Sequence, residues 1–145
     1  MIIRKAKLED AKFVYDNLEV LRGDVEYSFD QFIIYYKNYL LNNNNWIFIA
    51  KVSTEDIGFV TVNIYSSIRF IGNTLELEEV VIIKEMRGKG LGSIFLKNVI
   101  KKIQNDELIR KIVIKTDDLK VAGKLYSKEL TLTNMRTFQK YLNKI

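Results

Sequence analysis

The sequence predicts an α/β fold in which helices flank a mixed central sheet, with the element order β-α-α-β-β-β-α-β-α-β. Two observations lead to this prediction. Hydrophobic residues alternate along the chain between the spacing typical of helices and the spacing typical of strands. In addition, three of the 7 glycines fall within five residues, between an apolar strand-like run and an amphipathic helix. A chain of 145 residues is expected to form one domain, over residues 1–145.

A short strand and a first helix are predicted at the start of the chain. Residues 2–4 are typical of a short strand. A helix is then expected to begin near Asp10 and to end at Gly23. Its apolar residues recur at helical spacing and would form the buried face of the helix: Phe13, Val14, Leu18 and Leu21.

A capping pattern predicts the second helix. Ser28 and Gln31 have the spacing of a capping box, in which each side chain binds the backbone N–H of the other residue. The helix should therefore begin there and run to about Leu41. The asparagine tract at residues 42–45 is expected to be a turn, because asparagine competes for backbone hydrogen bonds and tolerates left-handed geometry.

Three strands are predicted after this turn. Residues 46–52 and 57–65 have the alternation of a hairpin, whose turn would be Thr54-Glu55-Asp56. Residues 75–83 would form a long third strand that ends in Val80-Val81-Ile82-Ile83. From Gly90 onwards the apolar spacing becomes helical again.

The last third of the chain should contain a strand, a short helix and a final strand. These are predicted at residues 109–115, 119–128 and 135–142. The last prediction has an alternative, because three apolar residues there also suit a helix: Phe138, Tyr141 and Leu142.

The chain contains no cysteine and no histidine, which excludes several classes of function. Disulfides, thiolate nucleophiles, cysteine or histidine metal sites and Ser-His-Asp hydrolysis all need one of these residues. Acid–base chemistry must therefore come from carboxylates, tyrosine, lysine, a chain terminus or ordered water.

The net charge of +5 is compatible with a solvated basic surface or with an anionic partner. Such a partner would be nucleic acid or a phosphate-rich cofactor. The cluster of Lys84, Arg87 and Lys89 favours the cofactor, and no basic tail or aromatic-basic repeat supports nucleic acid. The N-terminus has no signal-peptide pattern, and no apolar run has the length of a membrane span. We therefore expect a cytoplasmic protein with no membrane partner.

A glycine-rich loop is the strongest functional signal. Residues 87–93 read Arg-Gly-Lys-Gly-Leu-Gly-Ser and join an apolar strand to an amphipathic helix. Free N–H groups at such a helix start, together with glycines that allow close approach, form an anion site. The loop lacks the lysine spacing of a nucleotide-hydrolase phosphate loop, and Ser93 stands where a dinucleotide fingerprint needs its third glycine. The pattern present is Arg-x-x-Gly-x-Gly, at Arg87, Gly90 and Gly92.

This pattern resembles the pyrophosphate-binding motif of the GCN5-related N-acetyltransferase (GNAT) superfamily, and the resemblance extends over nearly the whole chain. Glu78-Glu79-Val80-Val81-Ile82 before the loop is similar to the family's acidic strand, and Ala122, Leu125 and Tyr126 match its Ala-x-x-Leu-Tyr helix. The sequence departs from the family pattern at three places. Lys84 replaces a usual proline, Leu119 a frequent asparagine, and Leu130-Thr131 a Gly-Phe pair.

The resemblance implies transfer of an acetyl group from the cosubstrate acetyl-CoA to a primary amine, by direct attack in a ternary complex and without a metal. The acceptor would be a small-molecule amine or a protein or peptide amine. An inactive CoA-binding sensor or scaffold domain is the alternative, and a homodimer is compatible with the sequence. The family's cofactor-binding positions correspond here to Val80, Val81, Ile82, Arg87, Gly88, Lys89, Gly90, Leu91, Gly92 and Ser93.

The same resemblance suggests catalytic residues. Glu76 aligns with the catalytic glutamate of histone-acetylating members and is the first candidate base, with Glu79 as the second. Strand alternation would place Glu76 and Glu78 on one face and Glu79 on the other. Tyr126 is the candidate acid for the departing sulfur. A solvated strand face and a packed aromatic residue are the structural alternatives. The region from Asp10 to Leu41 and the loop at residues 66–74 would shape the acceptor pocket.

Overall fold

A five-stranded sheet forms the centre of the computed structural model, which describes residues 1–116 and 118–134. Its strands are β1 (Ile2–Lys5), β2 (Asn45–Val52), β3 (Glu55–Ser67), β4 (Gly72–Ile82) and β5 (Ile109–Ile114). The helices are α1 (Ala11–Arg22), α2 (Phe29–Leu41), α3 (Leu91–Ile103) and α4 (Ala122–Tyr126). The predicted α/β class is confirmed. The predicted last strand at residues 135–142 lies outside the described residues.

The strands lie side by side in the order in which they occur along the chain. Neighbouring strands from β1 to β4 are antiparallel, whereas β5 pairs with β4 in parallel after the crossover through α3. The described residues contain no helix of the length and apolarity needed to cross a membrane.

Each face of the sheet has its own hydrophobic cluster. On one face, α1 and α2 pack against the sheet, as their capping and apolar spacing predict. That cluster includes Val14, Phe32, Tyr36, Ile49, Phe59 and Val81. On the other face, α3 covers a cluster that includes Phe48, Leu75, Leu77, Phe95 and Val99. The sheet therefore separates the chain into two layers of helices.

An irregularity in β4 interrupts the alternation of its side chains. Val60 pairs with Val80 and Val62 with Leu77, so two residues of β4 lie opposite the single residue Thr61. This arrangement is a β-bulge. Beyond it the faces exchange: Leu77 belongs to the α3 cluster, whereas Val81 packs below α1 and α2.

Several predicted boundaries were wrong. β3 extends to Ser67 and β4 begins at Gly72, so much of the predicted loop at residues 66–74 is strand. The β2–β3 hairpin turns at Ser53 and Thr54, because β2 and β3 stay paired as far as Val52 and Glu55 and Ser53 adopts the positive φ of a tight turn. The short helix begins at Ala122 rather than at residue 119. The Asp118 carboxylate accepts hydrogen bonds from the N–H groups of Lys120 and Val121, and these hold the preceding residues in a turn.

A charged cluster fastens β1 to the start of α1. The Arg4 guanidinium donates two hydrogen bonds to the Asp10 carboxylate, at 2.7 and 2.8 Å, and a third to Asp56 at 3.2 Å. Asp10 is only 5% exposed. Burial alone would raise the pKa of Asp10, but the hydrogen bonds from Arg4 and from the N–H of Lys7 outweigh burial and lower it.

We expect Asp10→Asn to lower the free energy of unfolding by about 2–3 kcal/mol at neutral pH, measured by urea denaturation, since the half-buried charge of Arg4 would keep only the longer contact to Asp56. A lowered pKa stabilises the fold only while Asp10 is ionised. The difference from the wild-type protein should therefore shrink below about pH 4, the ordinary aspartate value.

Asp16→Asn is the matched control, because Asp16 pairs with Lys12 on the exposed face of α1. It should change the free energy of unfolding by less than about 0.5 kcal/mol. Equal effects of the two substitutions would show that the Arg4–Asp10 pair has no special structural role.

Candidate functional site

The strands β4 and β5 part halfway along β4. They are paired from Asn73 to Leu77 on β4, whereas β4 continues to Ile82 without a described partner on that edge. The N–H of Glu79 donates to Thr61 Oγ1 and the N–H of Ile83 donates to the carbonyl of Ile57, so both point towards β3.

Strand periodicity determines which amides face the open edge. The N–H groups of Val80 and Ile82 must point away from β3, towards the gap beside β5. Val81 instead directs its N–H towards β3, and its side chain is buried below α1 and α2. Of the three predicted strand residues, Val80 and Ile82 therefore present backbone groups on the open edge.

The glycine-rich loop follows directly from this open edge. Arg87 Nε donates to the carbonyl of Ile82 at 2.8 Å, which ties the loop to the end of β4. Gly88 and Gly90 have φ of 73° and 74°, a region that residues with a side chain rarely adopt. No atom lies within 4 Å of the place that a Cβ would occupy at either position. The glycines thus form the turn and leave open space above it.

Helix α3 begins at this loop with unused hydrogen-bond donors. Gly90 is its N-cap and supplies no side-chain cap. Within the described residues, the N–H groups of Leu91, Gly92 and Ser93 have no acceptor. The Lys128 ammonium donates to Ser93 Oγ at 3.0 Å and brings a positive charge to the same turn. Together with the helix dipole, these groups suit a phosphate-rich ligand.

A cavity of about 590 Å³ lies on the opposite face, between the α1–α2 layer and β4. Its wall is apolar and aromatic apart from a few polar groups. It is lined by Val14, Leu18, Leu21, Arg22, Val25, Tyr27, Gln31, Phe32, Tyr35, Tyr36, Tyr39, Ile47, Thr61, Glu78 and Glu79. No residue of the loop at 66–74 is among them, so α1 and α2 shape the cavity without the predicted help of that loop.

Glu78 and Glu79 line this cavity together. The prediction that alternation separates them was wrong, because the bulge opposite Thr61 turns both side chains to the same face. Burial, and secondly the charge of Glu78, raises the pKa of Glu79 to about 7. A carboxylate at this position can exchange a proton near neutral pH.

The position of Glu78 depends on a short chain of hydrogen bonds. The side-chain amide of Asn63 donates to the Glu78 carboxylate, and Asn63 Oδ1 accepts from the Tyr39 hydroxyl at 3.0 Å. Burial, followed by the charges of Glu79 and Glu78, raises the pKa of Tyr39, so its hydroxyl stays protonated as a donor. These hydrogen bonds hold the Glu78 carboxylate, whose negative charge acts on Glu79, in place.

Glu76 and Tyr126 lie outside the cavity. Lys115 Nζ lies 2.6 Å from Glu76 Oε1, and this hydrogen bond raises the pKa of Lys115. Tyr126 lines a separate recess of about 460 Å³ between β5 and α4. Burial, and then the charge of Asp118, raises the pKa of Tyr126, so its hydroxyl is protonated at neutral pH. The side chain of its neighbour Leu125 lies 3.6 Å from the place that a Cβ would occupy at the loop glycine Gly92.

Sequence reasoning identified the loop and the acidic strand but missed the pairing of two glutamates in one cavity and the presence of Arg22 there. Two successive glutamates within an apolar strand indicate that one of them faces a packed layer if the strand alternates regularly, but they do not predict that both share one cavity. Nothing in the sequence marked Arg22, which reaches the cavity only through the packing of α1 on the sheet.

We expect Glu78→Gln to lower the pKa of Glu79 from about 7, because the substitution removes the neighbouring negative charge while burial remains. The value should stay above the ordinary glutamate value of about 4.3. Titration of the Glu79 carboxyl carbon by NMR measures both. Glu85→Gln, on the exposed turn before the loop, should leave the titration unchanged. An unchanged midpoint in both variants would contradict the electrostatic coupling.

Comparison with known proteins places this geometry in a family. A family model described as acetyltransferase (GNAT) family matches residues 12–130. No curated protein sequence matches the chain significantly.

Several solved structures share the fold. A transcriptional regulator from Bacillus halodurans C-125 is 18% identical with a TM-score of 0.84, over 97% of this chain and 99% of that one. A possible acetyltransferase from Clostridium difficile 630 is 19% identical with a TM-score of 0.79, over 98% and 97%. A ribosomal-protein-alanine N-acetyltransferase from Brucella melitensis biovar Abortus 2308 is 16% identical with a TM-score of 0.77, over 98% and 100%.

At these identities the solved structures establish only the shared fold, and their individual activities cannot be transferred to this chain. The family match, in contrast, spans most of the chain and includes β4 and the glycine-rich loop. The chain therefore belongs to the acetyltransferase (GNAT) family, whose members carry out acyl transfer.

Proposed function

We propose that this protein transfers an acetyl group from acetyl-CoA to a primary amine by direct attack in a ternary complex. One observation supports this most strongly. At residues 78–82, the same stretch of β4 borders the open edge beside the glycine-rich loop and the cavity that holds Glu79. A ligand bound at the loop and a ligand bound in the cavity could therefore come into contact at the open edge of β4.

The loop side fits CoA. Its pyrophosphate would accept hydrogen bonds from the N–H groups of Leu91, Gly92 and Ser93, in the open space above Gly88 and Gly90. Arg87 and Lys89 belong to this loop, and Lys128 donates to Ser93 Oγ beside it, so positive charges lie close to the proposed site. Acetyl-CoA supplies the activated acyl group as a thioester. The N–H groups of Val80 and Ile82 would donate hydrogen bonds to the thioester group of acetyl-CoA along the open edge. Such donors stabilise the negative charge that develops on a carbonyl oxygen.

The cavity side fits the acceptor, with Glu79 as the base. A primary amine is mostly protonated at neutral pH and must lose a proton before it attacks. Glu79 has a pKa of about 7, close to the value that general-base catalysis favours. Glu76 is engaged by Lys115 and does not line the cavity, which favours Glu79 between the two candidates.

The bond changes then balance. The ammonium form of the acceptor first passes one proton to Glu79, which releases it to water. The neutral amine nitrogen then bonds to the acetyl carbon as the carbon–sulfur bond breaks, its next proton passes to Glu79, and the departing sulfur takes a proton from Tyr126. Glu79 releases its proton to water and the Tyr126 phenolate regains one from water, so both residues return to their starting state. The raised pKa of Tyr126 keeps its proton on the hydroxyl until it is needed. An amine acceptor also agrees with the name of the ribosomal-protein-alanine N-acetyltransferase of similar fold.

Release of CoA thiol in the presence of a panel of amines tests the whole proposal. Steady thiol release that depends on the amine is the expected result. Binding of acetyl-CoA without amine-dependent thiol release would instead assign the chain to the inactive sensor or scaffold class. Binding to nucleic acid that falls steeply with salt would point to a third class.

Gly90→Asp should abolish CoA binding in calorimetric titration, because a side chain and a negative charge would enter the proposed pyrophosphate site. Gly23→Asp is a matched control. Gly23 also has a positive φ and open space around its Cβ position, but it lies at the end of α1. Both variants should lose stability, and Gly23→Asp should lose more, because its ψ of −125° lies outside the left-handed helical region that aspartate tolerates and that Gly90 occupies. The control alone should keep its affinity for CoA. Full affinity in Gly90→Asp would exclude the loop as the cofactor site.

Glu79→Gln should reduce turnover about a hundredfold or more, the usual contribution of a general base. In the wild-type protein, kcat/KM should rise with pH through about 7 as Glu79 loses its proton, and the variant should lack this step. Glu76→Gln is the comparison, and it should keep the step. If Glu76→Gln removes the step and Glu79→Gln keeps it, the base is Glu76.

Tyr126→Phe should lower turnover roughly a hundredfold and leave the affinity for CoA unchanged, because only the hydroxyl is lost. An acyl donor with a more acidic thiol should restore the rate, since its sulfur needs no proton to depart. Tyr65→Phe, on the exposed part of β3, is the control and should have no effect. A wild-type rate for Tyr126→Phe with CoA as leaving group would make Tyr126 a packing residue.

A further inference from the structure

Arg22 is a fixed cation in the wall of the acceptor cavity. It is the last residue of α1, and its guanidinium carbon lies 4.4 Å from the ring centre of Tyr15 and 4.9 Å from that of Tyr27. Its Nη2 donates to the carbonyl of Tyr15 at 2.9 Å. Two ring contacts and one hydrogen bond hold the side chain in place without neutralising its charge.

The hydrogen-bonding capacity of Arg22 is largely unused. A guanidinium has five N–H groups, and within the described residues Arg22 spends one of them on a protein acceptor. Its Nε–H is enclosed and has no partner there. No carboxylate of the described residues lies within ion-pairing distance of it. The donors that a bound group could reach are the N–H groups of Nη1 and the second N–H of Nη2, which have no acceptor in the described residues and are not enclosed as Nε is.

The cavity is polarised by its charged residues. Among the residues that line it, only Arg22, Glu78 and Glu79 are charged, and the wall between them is apolar and aromatic. Tyr27 lies within electrostatic reach of both signs. Burial raises the pKa of Tyr27, the charge of Arg22 lowers it, and the charge of Glu79 raises it. The cavity therefore offers carboxylates that suit an amine and a guanidinium that suits an anion.

We propose that the acceptor is an amine with a carboxylate on an apolar body, that is, an amino-acid-like zwitterion whose carboxylate is bound by Arg22 while its amine faces Glu79. The planar fork of arginine binds a carboxylate through two parallel hydrogen bonds, and Nη1 together with the second N–H of Nη2 would supply them. The tyrosine and phenylalanine side chains of the wall would contact the body of the acceptor. This inference rests on the proposed acetyl transfer and adds the class of its acceptor.

Matched acceptors test the role of Arg22 directly. Phenylalanine and phenethylamine differ by the carboxylate, as do 6-aminohexanoate and pentylamine, and the phosphonate analogue of phenylalanine tests another anion. We expect the wild-type protein to use the carboxylate-bearing member of at least one pair tenfold or more efficiently in kcat/KM. A preference for the phosphonate would keep the anion site and change the acceptor class.

Variants of Arg22 supply the second half of the test. Arg22→Met should remove the preference by lowering kcat/KM for the amino acid tenfold or more, with little change for the matched amine. Arg22→Lys should keep part of the preference, because the charge remains without the fork. Arg69→Met is the control, since Arg69 also lies over an aromatic ring, Phe70, but outside the cavity. Equal losses for both members of a pair would make Arg22 a structural residue and overturn the proposal.

Binding separates this proposal from the reaction itself. Calorimetric titration of the same pairs in the presence of CoA needs no turnover. Tighter binding of the carboxylate-bearing member, lost in Arg22→Met, would support the anion site even if no thiol is released. Thiol release without a preference for the carboxylate-bearing member would support the proposed acetyl transfer and overturn the anion site. Absence of a difference in both binding and turnover would overturn it as well.

Discussion

The site depends on one departure from regular strand geometry, the bulge of β4 opposite Thr61. Two residues of β4 lie opposite one residue of β3, so the side chains of Glu78 and Glu79 both point to the cavity. In the rest of β4 after the bulge, the side-chain alternation is shifted by one residue. The bulge lies immediately after Leu77, the last residue of β4 that pairs with β5. The bulge thus coincides with the place where β4 and β5 part. Carboxylates and backbone N–H groups on the open edge therefore lie close together, within residues 78–82.

The bulge also explains how a protein without histidine or cysteine can handle protons near neutral pH. Glu79 is partly buried beside a second carboxylate, so its charged form is disfavoured by lost hydration and by repulsion. Asn63 and Tyr39 keep that second carboxylate in position. On the other side of the strand the charges have the opposite sign, at Arg87 and Lys128. The strand therefore lies between a cavity with two adjacent glutamates and a loop with basic neighbours.

Local patterns in the sequence predicted most of the fold. The capping box at Ser28 and the glycine spacing at Gly88 and Gly90 are short-range signals, and the structure has both features where they were expected. Errors arose where longer-range or finer interactions decide. The register of β3 against β4 creates the bulge and cannot be derived from β4 alone. The start of α4 depends on side-chain hydrogen bonds of Asp118, a residue that the helical pattern did not include.

The two hydrophobic clusters on opposite faces of the sheet have a consequence for divergence. A substitution within the α1–α2 layer repacks one cluster, while the cluster below α3 and the loop at its N-terminus keep their neighbours. Under the proposed division of the site, the acceptor preference can change through mutation of one layer while the residues proposed to bind the acyl donor keep their surroundings. New acceptors could then arise by successive single substitutions, each compatible with the proposed cofactor site.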